Sequence, residues 1–154
     1  MGIALNYLIH LKRLLLIFWA IWLSIVFLSN LADGAKGLGW LGESWPFASG
    51  NWKLLQQTTA LYKISAVMNA VLFVGVLLWE GAAAVLFWRA AWSFRGRDSA
   101  HQSVYLAFMV SLLLWSAFLI ADEIFIAYSL ESVHMRLLLV HLTTLLVVDL
   151  IPER

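Results

Sequence analysis

One carboxylate, two histidines and an adjacent pair of acids are the residues of this chain whose types and surroundings invite chemistry. The carboxylate is Glu80, set in LLWEGAAAVLFWRAAW at residues 77–92, with no other charge before Arg89. An ionised side chain at the centre of a bilayer costs no less than about 2.5 kcal/mol. Such a group takes up a proton or finds a polar partner, and it faces neighbouring helices rather than lipid. Glu80 lies nine residues before Arg89, which places it about 13 Å from the inner helix end and near mid-bilayer at roughly 1.5 Å per residue. Counting inward in the same way, Ser24 is eleven residues after Arg13, Ser111 ten after His101 and Thr143 ten before Glu153. Glu80, Ser24, Ser111 and Thr143 are therefore expected to form one intramembrane polar layer. In it, protonated Glu80 donates to Ser111 or to a threonine hydroxyl. The small residues Gly81, Ala82, Ala83 and Ala84 let a neighbouring helix approach. A polar clasp between helices is the plain reading of this layer; a proton relay or ligand carboxylate is the chemical one.

A second polar group falls toward the outer face: Asn69, Asp122, Glu123, His134, Arg136 and His141. The acids close one helix and Arg136 opens the next, so an ion pair of Arg136 with Asp122 or Glu123 is expected, with an ion or metal site as the alternative use. Bis-histidine haem ligation needs two imidazoles approaching from opposite sides. His134 and His141 are seven residues apart on one helix, so they share a face about 10 Å apart along the axis and cannot clamp one iron. His141 and His101 remain the weak candidates for a single-ligand haem b or pigment site, and no cofactor is expected. No phosphate-cradling loop, HExxH or nucleophile–base–acid set is present, so no enzyme activity is expected.

The elements that must hold these residues are apolar and long. Of 154 residues, 63% are hydrophobic and 12% charged, and the mean hydropathy is +0.87. A soluble domain carries about 25% charged residues. A chain this small cannot hide that much apolar surface in a water-facing fold. Four spans of about 11–32, 63–92, 103–127 and 134–151 predict an all-α, four-helix integral membrane bundle forming a single domain. The fourth is the weakest, because its stretch free of charge is short and contains His141. The first exceeds the usual apolar core of a signal peptide, and NLADGAKG offers no clean A-x-A cleavage site, so it reads as a retained helix. The outer loop, 33–62, carries GAKGLGWLGESWPFASGNW. Its tryptophans suit an outer membrane surface or a neighbouring protein, and NWKLLQQ reads as a short interfacial helix capped by Asn51.

With both termini in the cytoplasm, the inside holds Lys12, Arg13, Arg89, Arg95, Arg97 and Arg154, and the outside holds Lys36, Lys53, Lys63 and Arg136. Six against four favours that orientation. Trp19, Trp22, Trp79 and Trp115 lie deeper and read as helix-packing or lipid-facing residues. Cysteine is absent, and a net charge of +1 gives no case for nucleic acid.

Several stretches resemble a family of bacterial small integral membrane proteins of unknown function. These are SNLADG from Ser29, Trp79 and Glu80 followed by LFWR from Leu86, LLW from Leu113 leading to DEIF from Asp122, and YSLE from Tyr128. The loop GLGWLGESWPFASGNWKLL departs from that family's pattern. The resemblance implies four helices with a long first outer loop in the bacterial inner (cytoplasmic) membrane, and it transfers no site residues. Small size, little soluble mass and a Trp-rich loop predict a non-catalytic accessory subunit of a larger membrane complex of respiratory or photosynthetic type. Its partners would be other membrane subunits and lipid, with a homo-oligomer as a further option. The alternatives are a small oligomeric transporter or channel using Glu80, or an anchor for haem b or quinone.

Overall fold

The structure, a computed structural model, describes residues 2–94 and 98–151, and every regular element among them is helical. Helix α1 is Gly2–Gly37, α2 Asn51–Thr59, α3 Ala66–Ser93, α4 Asp98–Ile124 and α5 Tyr128–Leu150, with one 3₁₀ turn at Ala60–Tyr62 after α2. Four stretches, Tyr7–Gly37, Ala66–Ser93, His101–Ile124 and Tyr128–Leu150, are long and apolar enough to cross a membrane. Four such helices suit a multi-pass membrane protein. Backbone groups in hydrocarbon must be satisfied within the segment, and a helix does this with its own ladder.

The helices pack in the order α1, α3, α4, α5, with α5 returning to α1 and α2 lying against α1 and α3. Successive contacts fix α1 antiparallel to α3. The Arg13 Nε donates to the Ala91 carbonyl at 3.1 Å, the Asn30 amide meets Glu80, and a Cβ on Gly34 would touch the Phe73 ring. Arg13 also serves a carbonyl near the C-terminus of α3, where orphan acceptors and the helix dipole favour a cation. Lys12, beside it, is buried with its ammonium 5.9 Å from the centre of the Phe94 ring.

The core follows the small residues. Ala20 on α1, Ala83, Ala84, Ala90 and Ala91 on α3, and Ala107 on α4 are buried, which lets the helix backbones come close around Phe87, Phe108, Leu16 and Leu23. Phe87 and Phe108 meet edge to face at 4.9 Å. Gly81 admits Phe27 of α1, since a Cβ there would sit 3.2 Å from that ring.

Element ends explain the boundaries. Helix α1 closes in a Schellman turn: Gly39 adopts φ 74°, Trp40 N donates to Ala35 O and Gly39 N to Lys36 O. Ser65 caps α3 by accepting from Met68 N at 3.2 Å. The interfacial helix predicted in the loop is present as α2, but Asn51 is not its cap. Gly50, at φ 81°, takes that position with no side-chain bond. Helix α5 begins at Tyr128, six residues before the expected 134. The turn from α4 is made tightly by Ile126 at φ 55° and by Ala127 N donating to Asp122 O at 2.7 Å. The earlier start gives the fourth segment 23 residues, about 34 Å at helical rise. Arg95, Arg97, Glu153 and Arg154, which enter the orientation and depth counts, lie outside the described residues.

Candidate functional site

Glu80 faces inward, as its charge demands, and is 2% exposed. Its partner is Asn30 of α1, also 2% exposed. The Asn30 amide nitrogen lies 2.8 Å from each carboxylate oxygen. Asn30 shares a face with Leu16 and Leu23 at steps of seven residues, all three buried, so the stripe that packs α1 on α3 delivers the amide to the acid. No cation pairs with Glu80 among the described residues.

The chain of bonds continues outward. Asn51, the exposed first residue of α2, donates its side-chain N–H to Asn30 Oδ1 at 2.8 Å. One turn further along α1, Asp33 is 7% exposed and holds the same stretch of loop. It accepts from Trp52 N at 2.6 Å and from Ser49 Oγ at 3.3 Å. Ser49 N donates to Ser29 O at 3.2 Å. The outer loop therefore folds back on the α1–α3 pair, and Trp52 lodges between Gly37 and Phe73, whose ring it meets at 5.3 Å.

The expected polar layer does not assemble. Ser24 lies six residues, about 9 Å, from Asn30; its hydroxyl donates to Ala20 O at 2.7 Å and accepts from Trp88 Nε1 at 3.1 Å. Ser111 is fully buried, but its hydroxyl has no hydrogen-bond partner. Thr143 is exposed on the outside of α5. None of the three bonds Glu80. The error comes from depth counting, which takes the cations at two helix ends as one level and ignores which way each side chain turns.

The outer cluster also divides. Asp122 is buried and takes His134, not Arg136: His134 Nδ1 lies 2.6 Å from Asp122 Oδ2, and its ring stacks on Phe118 at 4.8 Å. Arg136 instead turns back on its own helix, donating to Ser132 O at 2.9 Å and Ser132 Oγ at 3.2 Å. Glu123 is exposed. Asn69 belongs elsewhere, accepting from the buried Thr59 hydroxyl at 2.8 Å and so tying α3 to the end of α2. No group of three acidic or histidine side chains among the described residues could hold a metal ion.

His141 is fully buried and occupies the middle of the bundle. Trp19 lies over it with ring centres 3.6 Å apart, and Trp115, Phe87 and Phe108 surround it at 5.7 Å, 6.2 Å and 6.5 Å. Its Nδ1–H donates to Leu137 O at 2.9 Å, which leaves Nε2 to accept a long 3.5 Å bond from Trp115 Nε1–H. Both ring nitrogens thus have partners within the protein. His101 stands near the start of α4 beside Tyr105, with ring centres 6.3 Å apart, next to a void of about 10 Å³, roughly one water. The deeper tryptophans serve packing: Trp79 Nε1 donates to Val110 O at 2.9 Å. Compared with protein-family models, curated proteins and solved structures, the chain matches none.

Proposed function

We propose that this protein is a non-catalytic accessory subunit of a larger assembly in the bacterial inner (cytoplasmic) membrane, with both termini in the cytoplasm, and that its outer loop is the seat for a neighbouring subunit. The observation that carries this reading is an apolar loop surface held on a fixed frame. Leu38 is 61% and Trp40 79% exposed, and Trp45 and Phe47 are about half exposed. Yet the loop that bears them is fastened by the Schellman turn at Gly39, by Ser49 on Ser29, by Trp52 on Asp33 and by Asn51 on Asn30. Preorganised apolar surface binds a partner without a large ordering cost. The orientation draws on the positive-inside bias, and the bacterial setting on the family resemblance.

A transporter reading draws on the buried Glu80. Against it, the middle of the bundle is filled by Trp19, Phe87, Phe108, Trp115 and His141. Haem and quinone anchoring draw on nothing comparable.

The test is site-specific photo-crosslinking in native membranes, with a photoreactive phenylalanine analogue at Trp40, at Trp45 or at Val85, an outward residue of α3 that is 66% exposed. A discrete adduct with a second polypeptide from the two loop positions, absent at Val85, is the expected result. Lipid adducts alone at all three positions refute the subunit reading. Adducts only with another copy of this chain replace it with a homo-oligomer.

A further inference from the structure

The bonds from Asn51 through Asn30 to Glu80 all run one way: each amide donates toward the acid. That polarity suits a carboxylate, which only accepts. A protonated Glu80 has an O–H to donate, and Asn30 then presents no acceptor to it. The same heavy-atom frame has a second solution. Rotating the Asn30 and Asn51 amides by half a turn exchanges oxygen for nitrogen in positions of nearly equal shape. Glu80 then donates to Asn30 Oδ1, and Asn30 Nδ2 donates to Asn51 Oδ1.

We propose that Glu80, Asn30 and Asn51 form a reversible proton-binding site whose hydrogen-bond chain inverts when Glu80 takes a proton, and that the inversion changes how firmly α2 is held in the outer loop. The step balances simply: one proton from bulk water joins one carboxylate oxygen, and no other bond is made or broken apart from hydrogen bonds. In the ionised state the chain ends on a charge and each link is strengthened. In the protonated state all links are between neutral groups. Asn51 opens α2, so the strength of its bond to Asn30 bears on the whole nine-residue helix. This inference stands apart from the subunit reading, since it concerns a ligand, the proton, and not a partner.

The other charged groups around the site are few. On α1, Asp33 holds Ser49 and Trp52 of the same loop, and Lys36 reaches out to Trp45 O and Glu43. On α2, Lys53 is exposed. On α4, no titratable side chain lies between Tyr105 and Asp122, and on α5 His141 has both nitrogens occupied. Asp33 is thus the one competing source of a pH response in α2.

The experiment is hydrogen–deuterium exchange of the purified full chain in lipid nanodiscs across a pH series, with each amide rate divided by its intrinsic rate, alongside infrared detection of the protonated-carboxyl stretch. In the native chain, amides of α2 are expected to exchange more slowly with Glu80 ionised than with it protonated, by up to about twofold, because the Asn51–Asn30 bond is strengthened only by polarisation through Asn30. Glu80→Gln, neutral at every pH, should abolish both that dependence and the carboxyl band that tracks it. Asn51→Ala, a change at an exposed position that leaves folding intact, should abolish the α2 response while keeping the band. The proposal is overturned by an α2 response that persists in Glu80→Gln, which assigns it to Asp33. It is equally overturned by an α2 response that persists in Asn51→Ala, or by the lack of any carboxyl band that depends on Glu80.

Discussion

Removing one partner of the Asn30–Glu80 pair should cost far more than removing both. Glu80 and Asn30 are each 2% exposed, and Asn30 supplies the bonds to both carboxylate oxygens. Asn30→Leu leaves a buried acid with no partner, which is expected to destabilise the bundle by about 3–5 kcal/mol. Glu80→Leu leaves the Asn30 N–H groups unmet while its oxygen still accepts from Asn51, a loss of about 1–3 kcal/mol. In the double variant the two side chains form an apolar contact of similar volume, and only exposed Asn51 loses an acceptor, which water replaces. That variant should fall within about 1.5 kcal/mol of the native chain. The coupling energy is then at least about 2.5 kcal/mol, and it has the sign of mutual dependence. Unfolding in mixed micelles of rising denaturing-detergent fraction, followed by helical circular dichroism, measures all four corners of the cycle. Additive single-variant losses, with coupling below about 0.5 kcal/mol, refute the claim that Asn30 is what shelters the acid.

The same assay reads seven further substitutions. Gly37→Ala places a Cβ 2.6 Å from the Trp52 indole nitrogen, so it should cost about 1–3 kcal/mol and speed proteolysis of residues 38–50 as the indole is pushed out. Gly75→Ala meets nothing within 4 Å and should stabilise by about 0.5–1 kcal/mol through helix propensity, whereas Gly81→Ala, 3.2 Å from Phe27, should come out at least about 1 kcal/mol worse than Gly75→Ala. His141→Ala empties the space under Trp19 and should cost about 2–5 kcal/mol, with a red shift of tryptophan emission as the cavity wets. Asp122→Ala should loosen the α4–α5 turn by about 1–3 kcal/mol, while Glu123→Ala and Arg136→Ala stay within about 0.5 kcal/mol of the native chain.

The spans are legible in the sequence because hydrocarbon demands length and apolarity before anything else, and 63–92 or 103–127 are long and apolar enough on inspection. The start of α5 is not. Glu131, His134 and Arg136 look like a polar flank, but all three lie inside α5, and Ile126 takes a left-handed conformation that no glycine announces. An inward-facing Glu80 follows from its charge alone. Its partner was within reach too: Leu16, Leu23 and Asn30 step by seven and so share one face. Depth counted from Arg13 and Arg89 selects Ser24 instead, since depth carries no information about rotation. Arg136 fails for a related reason, since a guanidinium near its own Ser132 finds acceptors without crossing to Asp122. The contact of Asn51 with Asn30 is a tertiary outcome of how the long loop folds back, and no local pattern encodes it.

The location of the polar chain follows from the connectivity. A buried acid in a bundle of apolar helices needs a partner, and a two-helix seam offers few positions for one. The α4–α5 seam is closed by a tight turn, and the acid nearest that turn, Asp122, takes its partner His134 from the facing helix. Among the described connections, the long one joins α1 to α3, and there Asn51, at the start of α2, reaches the inward-facing Asn30. A clasp at this depth requires Asn30 and nothing more, because the Asn30–Glu80 bond already joins α1 to α3 there. Asn51 adds little to such a clasp, being exposed and able to bond water. Its place in the chain is explained when the state of Glu80 has to be felt at the surface. Asn51→Ala therefore separates the two roles: a clasp predicts an almost unchanged protein, and a proton site predicts a protein of unchanged stability whose loop no longer follows pH.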